Sequence, residues 1–201
     1  MRIIAIVFKT FLVLLGVTLA TGLMPNEPDP KLIDKVMERH SRSGVGILVD
    51  YDYPIHMRRL WVVATRTVRV EGKVFKRGDV ILNTHVSHSW GSGMLFATRF
   101  SNVPNSFISS RGYFRTHQKR HRSHNHGWPA LRVDGLDRKL NRNAKARAII
   151  FHRSYSPWSA GCFMSLPGMN DRLTKLAAGG AIMYVHKTDP VDLNDKRQPE
   201  S

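Results

Sequence analysis

The sequence predicts a mainly β domain, a barrel or a sandwich with a few short helices. Short runs of apolar and β-branched residues recur along the chain, and segments rich in Gly, Ser and Asn separate them. The chain has 201 residues, of which 42% are hydrophobic. We therefore expect one compact domain and exclude a wholly disordered chain.

Residues 1–23 have the layout of a secretory signal peptide. Arg2 and Lys9 precede an uncharged apolar stretch, and small residues stand before a Pro-rich break. An uncleaved membrane anchor is the alternative, although Lys9 leaves an apolar run that is short for a span of about 20 residues. Both readings predict an exported protein of the periplasm or cell envelope, and an anchor would associate it with the inner membrane.

Residues 24–43 predict a linker and a short helix. Three prolines lie in the first part, and apolar residues at helical spacing follow over residues 31–42. The pattern changes at Gly44, where a domain that extends to residue 187 begins. Its first half contains strand candidates and a hairpin that turns at Glu71-Gly72. The strand candidates are residues 46–51, 59–64, 68–70, 73–75 and 80–86.

The second half of the domain starts with predicted loops, which include residues 109–113 and the polar, basic segment 115–126. Strands are predicted next, together with a short helix over residues 169–176 that Gly179-Gly180 ends. The strand candidates here are residues 130–136, 148–152 and 181–186. Residues 188–201 predict a disordered polar tail.

The formal net charge of +16 predicts attraction to polyanions. For an exported protein these are cell-wall polymer, anionic lipid or extracellular nucleic acid. The chain has no nucleic-acid-binding motif and no ladder of Arg or Lys with aromatic residues, so we expect no nucleic-acid partner.

Cys162 is the only cysteine, so it cannot form an internal disulfide. It lies ten residues after His152, which ends an apolar run. An imidazole near a thiol can accept its proton and create a nucleophile for acyl transfer. Gly161 allows a sharp turn that exposes backbone N–H groups to an oxyanion. The alternative is an inert cysteine that packs as a small apolar side chain.

The arrangement Phe151-His152 … Ser159-Ala160-Gly161-Cys162 resembles the catalytic motif of the L,D-transpeptidase (YkuD-like) family. In that family a His on a strand is followed by Ser/Thr-His-Gly-Cys. The resemblance is to the murein L,D-transpeptidase catalytic domain branch and extends from Gly44 to His186. Its other segments are residues 59–63, 83–88, 91–93, 97–102, 109–116, 126–127, 131–137 and 143–150.

The resemblance implies a YkuD-like barrel or sandwich that needs no metal or organic cofactor. It implies that Cys162 is the nucleophile and His152 the general base. The backbone N–H groups of Gly161 and Cys162 would hold the oxyanion, and Ser159 would orient the site. Trp158 is close enough in sequence to Cys162 to line the pocket.

Arg132, Asp134 and Arg111 would bind charged groups of a peptide substrate. It is equally plausible that they form structural ion pairs. The complete set of expected substrate-binding residues is His126, Gly127, Arg132, Asp134 and Trp158.

The implied reaction is a two-step acyl transfer on peptidoglycan stem peptides. The Cys162 thiolate attacks the bond between diaminopimelate and the terminal D-Ala of a tetrapeptide stem, D-Ala leaves, and a thioester remains. An amine of another stem, or a protein lysine, then resolves the thioester. We expect a site of this kind to be acylated by carbapenems.

Three departures from the family pattern keep two alternatives open. Ala160 stands where the family usually has His, Met164 stands where many members have Asn or Arg, and the segment 153–161 is short. One alternative is an L,D-carboxypeptidase or endopeptidase that uses water as acceptor. The other is a basic cell-wall-binding module with a degenerate site.

Four histidines of the basic segment (His117, His121, His124 and His126) resemble a metal-binding cluster. The segment is rich in Arg and Lys and contains no acidic or thiolate partner. We therefore interpret it as a solvated basic loop and predict no metal site.

Overall fold

A computed structural model describes residues 26–194 of the chain. The helices within this range are α1 (Pro30–Met37) and α2 (Pro167–Ala177), with a 3₁₀ turn at Trp90–Ser92. The strands are β1 (Val45–Asp50), β2 (Leu60–Ala64), β3 (Val68–Val70), β4 (Lys73–Phe75), β5 (Val80–Thr84), β6 (His88–Ser89), β7 (Arg99–Phe100), β8 (Gly112–Thr116), β9 (His121–Ser123), β10 (Gly127–Gly135), β11 (Ile150–Arg153), β12 (Trp158–Ser159), β13 (Phe163–Ser165), β14 (Ile182–His186) and β15 (Val191–Asp192).

One large sheet dominates the fold and confirms the prediction of a mainly β domain. Its strand order is β13-β11-β10-β8-β14-β1-β2-β5, and β9 pairs with β10. The two ends of this path meet through Ser87, which follows β5. The Ser87 N–H donates to the Met164 carbonyl at 2.9 Å, and the Met164 N–H donates to Ser87 Oγ at 2.9 Å. The sheet is therefore a nearly closed barrel.

Strands β1 and β2 are buried on both faces, which explains their uninterrupted apolar sequences. One face contributes to the main core inside the barrel. The other face contributes Leu48, Trp61 and Val63, which pack with Val36 of helix α1. Removing these side chains from water stabilises the barrel and fixes α1 on its outside.

Strand β8 was not predicted, although it lies at the centre of the sheet. The polar sequence of residues 109–116 favoured loops, but β8 pairs with both β10 and β14. Phe114 and Thr116 are buried, whereas Tyr113 and Arg115 are half-buried. The strand is amphipathic rather than apolar, and pairing with two neighbours outweighs its weak strand propensity.

Other elements follow the predictions with shifted ends. The hairpin turns at Glu71-Gly72, where both residues have positive φ. Helix α1 ends at Met37, before the predicted residue 42. Part of the predicted polar tail is ordered, since β15 pairs with β7. Residues 195–201 lie outside the described range.

The predicted signal peptide or anchor (residues 1–23) also lies outside the described residues. Over residues 26–194, no helix has the length and apolar character needed to cross a membrane.

Candidate active site

The parallel pairing of β11 and β13 sets the relative positions of His152 and Cys162. His152 lies on β11 opposite Met164 of β13, and Phe151 lies opposite Phe163. Phe151 and Phe163 pack in the core, with ring centroids 5.2 Å apart. Cys162 is the residue before β13, so the register of two short strands places its thiol beside the start of β11.

The turn that presents Cys162 is held by two serines. Ser159 Oγ donates to the Cys162 carbonyl at 2.7 Å and accepts the Gly161 N–H at 3.1 Å. Ser87 Oγ also lies 3.2 Å from the Cys162 carbonyl. Gly161 has φ +119°, a conformation that side chains disfavour. Ser159 is therefore positioned to hold this turn, and its orienting role in catalysis stays a prediction.

The Gly161 N–H is already engaged by Ser159 and is a poor candidate for the oxyanion donor predicted from sequence. The Cys162 N–H makes no hydrogen bond within residues 26–194, which leaves it free to face an oxyanion.

We expect Ser159→Ala to slow any Cys162-dependent reaction about 10-fold to 30-fold, because two hydrogen bonds of about 1 kcal/mol each would be lost. The matched control is Ser156→Ala in the same loop, because within residues 26–194 the Ser156 side chain bonds only to the Trp158 backbone. Rates of thiol alkylation and of substrate turnover would measure the effect. Equal rates in both variants would contradict this role for Ser159.

The thiol of Cys162 is half-buried, and Sγ lies 3.9 Å from the Ala148 carbonyl oxygen. Burial raises the pKa of the thiol above its ordinary value, because an apolar environment disfavours the thiolate. The Ile150 N–H and the positive charge of Arg147 act in the opposite direction. The thiol is therefore accessible, but it ionises less readily than a free cysteine.

The imidazole of His152 is only 4% exposed. Burial and, to a smaller extent, the neighbouring His126 lower its pKa to about 4, although a hydrogen bond to the Arg153 carbonyl opposes this shift. The two histidine rings stack with centroids 3.8 Å apart. His152 Nδ1 lies 3.1 Å from the Arg153 oxygen, so Nδ1 carries the proton and Nε2 is free to accept one. Neutral imidazole is the form that a general base requires.

No hydrogen bond joins Cys162 Sγ to His152 within residues 26–194. The thiol and the imidazole instead contact the carbonyls of Ala148 and Arg153, respectively. Catalytic hydrogen bonds often shorten only when substrate is bound.

A cavity of about 390 Å³ is lined by three of the five predicted substrate-binding residues (His126, Arg132 and Asp134), whereas Cys162 and His152 do not line it. Its wall includes Ala148 and Ile150, whose backbones contact Cys162. The ionisable side chains that line it are His117, His121, Arg122, His124, His126, Arg132, Asp134 and Lys145. Asp134 lies 3.0 Å from His117 Nε2. The wall therefore carries an excess of cationic groups.

The other residues predicted to contact substrate do not line this cavity. Gly127 follows His126 at the start of β10 with φ +69°. Trp158 does not line the cavity, and its indole N–H donates to the Met94 carbonyl at 2.9 Å. Arg111 forms an ion pair with Asp192, as the structural alternative for this residue predicts.

The histidines of the basic segment do not bring three ligand atoms together in the described part of the chain. The group of close metal-type ligands found there is Asp50, Asp52 and His186. Asp52 accepts hydrogen bonds from Lys187 Nζ and Thr188 Oγ1, so an ammonium already neutralises this group.

Sequence reasoning missed a buried arginine that shapes the wall next to the thiol. The Arg59 side chain is fully buried and donates to the Val86 carbonyl at 3.0 and 2.8 Å. It also lies 2.9 Å from His88 Nδ1, and His88 Nε2 donates to the Gly93 carbonyl at 2.8 Å. These bonds fix the segment that contains Ser87. The residues that Arg59 contacts are distant from it in sequence, and no local motif predicts these contacts.

The comparisons with known proteins agree with the geometry. The family model described as the L,D-transpeptidase catalytic domain matches residues 30–186, so the chain belongs to this family. No curated protein matches the chain.

Similar solved structures include an L,D-transpeptidase from Mycobacterium smegmatis, which is 15% identical with a TM-score of 0.40 and coverage of 72% of this chain and 59% of that chain. Another is an L,D-transpeptidase from Xylanimonas cellulosilytica, with 16% identity, a TM-score of 0.42 and coverage of 74% and 63%. A third, from Stackebrandtia nassauensis, has 16% identity, a TM-score of 0.40 and coverage of 85% and 74%. The chain thus spans about three fifths of the first two relatives.

Proposed function

We propose that this protein is a cysteine acyltransferase that carries out L,D-transpeptidation on peptidoglycan tetrapeptide stems. The observation that supports the proposal is the Gly161-Cys162 turn directly before β13, whose parallel partner β11 carries the buried, neutral His152. Membership of the L,D-transpeptidase family supplies the reaction class.

In the first step, His152 Nε2 accepts the thiol proton and Cys162 Sγ attacks the carbonyl of the stem's L,D bond. The Cys162 N–H stabilises the oxyanion. The C–N bond breaks, D-Ala leaves with the proton returned by His152, and a thioester remains. In the second step, an amine of another stem, or a protein lysine, attacks the thioester and releases the thiol.

The cationic cavity is the proposed site for the substrate. Arg132 and Lys145 are exposed cations, and no ion pair joins either of them to a carboxylate in the described residues. His126 lies between this cavity and His152, on whose ring it stacks. The carboxylates of a stem peptide would bind these cations, with Asp134 and Gly127 at the rim.

We also propose that the protein works in the periplasm or cell envelope, after export directed by residues 1–23. Its net charge of +16 would hold it against the anionic cell wall. This attraction would weaken as salt is added.

The test is muropeptide analysis after the purified full-length chain has been incubated with tetrapeptide-rich peptidoglycan, with Cys162→Ala as the matched control. We expect crosslinked dimers and free D-Ala from the wild type and neither from the variant. Trimmed stems without dimers would show that water is the acceptor, and the protein would be an L,D-carboxypeptidase. If no product depends on Cys162, the remaining alternative is a basic wall-binding module with a degenerate site.

A further inference from the structure

Arg147 is a cation that no carboxylate neutralises. It lies in the loop between β10 and β11, and its guanidinium donates to the Ser101 carbonyl at 2.7 Å, to Ser110 Oγ and to the Ile108 carbonyl. All three acceptors are neutral. No ion pair joins Arg147 to an acidic side chain anywhere in residues 26–194. A partly buried cation without a counter-charge is costly, which calls for an explanation.

The guanidinium lies against the turn that presents the nucleophile. Arg147 Nη2 is 3.3 Å from the position that a Cβ of Gly161 would occupy. The next residue, Ala148, contributes the carbonyl that lies 3.9 Å from Cys162 Sγ. The loop therefore places Arg147 beside the thiol. A side chain at position 161 would press on the guanidinium, which gives Gly161 a second reason to be glycine.

The charges around the thiol single out Arg147. Burial raises the pKa of Cys162 and lowers the pKa of Arg147, and the attraction between the thiolate and the guanidinium opposes both shifts. The other ionisable groups near the site are His152 and His126, which stack on each other, and the remaining side chains of the cavity wall: His117, His121, Arg122, His124, Arg132, Asp134 and Lys145. His152 is neutral near pH 7 because burial holds its pKa at about 4. An imidazolium is therefore a poor partner for the thiolate in the resting enzyme.

We propose that Arg147 is the counter-charge of the Cys162 thiolate, and that neutral His152 only moves the proton. On ionisation the S–H bond breaks, the proton passes to His152 Nε2 or to water, and the charge left on sulfur faces the guanidinium. This inference rests on the proposed function, because it assigns an electrostatic partner within that site.

The pH dependence of Cys162 alkylation by iodoacetamide tests this inference directly. Cys162 is the only cysteine, so the adduct mass reports this thiol alone. We expect Arg147→Gln to raise the pH midpoint of alkylation by about one unit or more. Arg147→Lys keeps the charge but loses the forked hydrogen bonds, and we expect its midpoint to stay near that of the wild type.

Two controls separate charge from structure. Arg69→Gln removes an exposed, remote positive charge and should leave the midpoint unchanged. Ser110→Ala removes one acceptor of the guanidinium without changing any charge, and it should also leave the midpoint unchanged. The inference is overturned if Arg147→Gln shifts the midpoint no more than Arg69→Gln, or if Arg147→Lys shifts it as much as Arg147→Gln.

Circular dichroism would show whether each variant folds. If Arg147→Gln does not fold, Arg147→Lys and Ser110→Ala decide the question, because a purely structural role predicts a shifted midpoint in both. Alkylation needs no substrate. Suppose that Arg147→Gln raises the pH midpoint of alkylation but the wild type shows no transfer activity. This result would support the inference about Arg147 and would contradict the proposed function.

Discussion

Cys162→Ala is expected to lose all measurable transfer of stem peptides, a fall of at least about 10⁴-fold in rate, because the nucleophile itself is removed. No second thiol can replace the nucleophile, since the chain contains one cysteine. The release of D-Ala from a tetrapeptide stem would measure the rate. The fold should be largely unaffected, because within residues 26–194 the thiol contacts only two backbone groups, the Ala148 oxygen at 3.9 Å and the Ile150 N–H.

Cys162→Ser is the matched variant for this prediction. Serine keeps the size and polarity of the side chain, but a hydroxyl ionises far less readily than a thiol, and His152 alone has to activate it. We expect Cys162→Ser to be as inactive as Cys162→Ala. Substantial D-Ala release by either variant would show that another residue performs the attack.

The second large effect is on stability in mild acid. His88 and His152 are 0% and 4% exposed, and burial lowers the pKa of each to about 4. Their pKa in the unfolded chain is about 6.5. Between these values the unfolded chain binds more protons than the folded one, so the free energy of unfolding falls as the pH decreases. Each histidine contributes a loss of about 1.4 kcal/mol per pH unit in this window.

Urea unfolding at about pH 7, 6 and 5 would measure this loss, in a range above the ordinary titration of carboxylates. His88→Gln is the informative variant, because glutamine supplies one acceptor for Arg59 and one donor for Gly93 without titrating. We expect its stability to depend on pH about half as steeply as that of the wild type. The exposed His124→Gln serves as control. A wild type equally stable at all three pH values would refute the account.

The sequence allowed the fold class to be predicted because its strands carry local signals. The fully buried β1 and β2 read as apolar runs, and Glu71-Gly72 reads as a hairpin turn. Strand β8 was missed because its stability comes from two neighbours, β10 and β14, rather than from its own composition. Pairing of this kind is a property of the assembled sheet.

The candidate site likewise contains some residues that a local motif predicts and others that only the folded structure brings close. Cys162 and His152 were predicted because they form part of a recognisable motif, and they lie on or next to the paired strands β11 and β13. The groups that support them lie far away in sequence. Ser87 contacts the turn from 75 positions before Cys162, and Arg147 is recognisable only once the loop places its guanidinium beside Gly161. Trp158 was predicted from sequence proximity, but its side chain is directed to Met94 instead.

The most direct test of the central claim, that Cys162 is an acylated nucleophile, is intact-mass analysis of the full-length protein after incubation with a carbapenem. The account predicts that the wild type gains the mass of one drug molecule, that peptide mapping places it on Cys162, and that Cys162→Ala gains nothing. An unmodified wild type, under conditions that label a related active L,D-transpeptidase, would contradict it, as would an adduct on any residue other than Cys162.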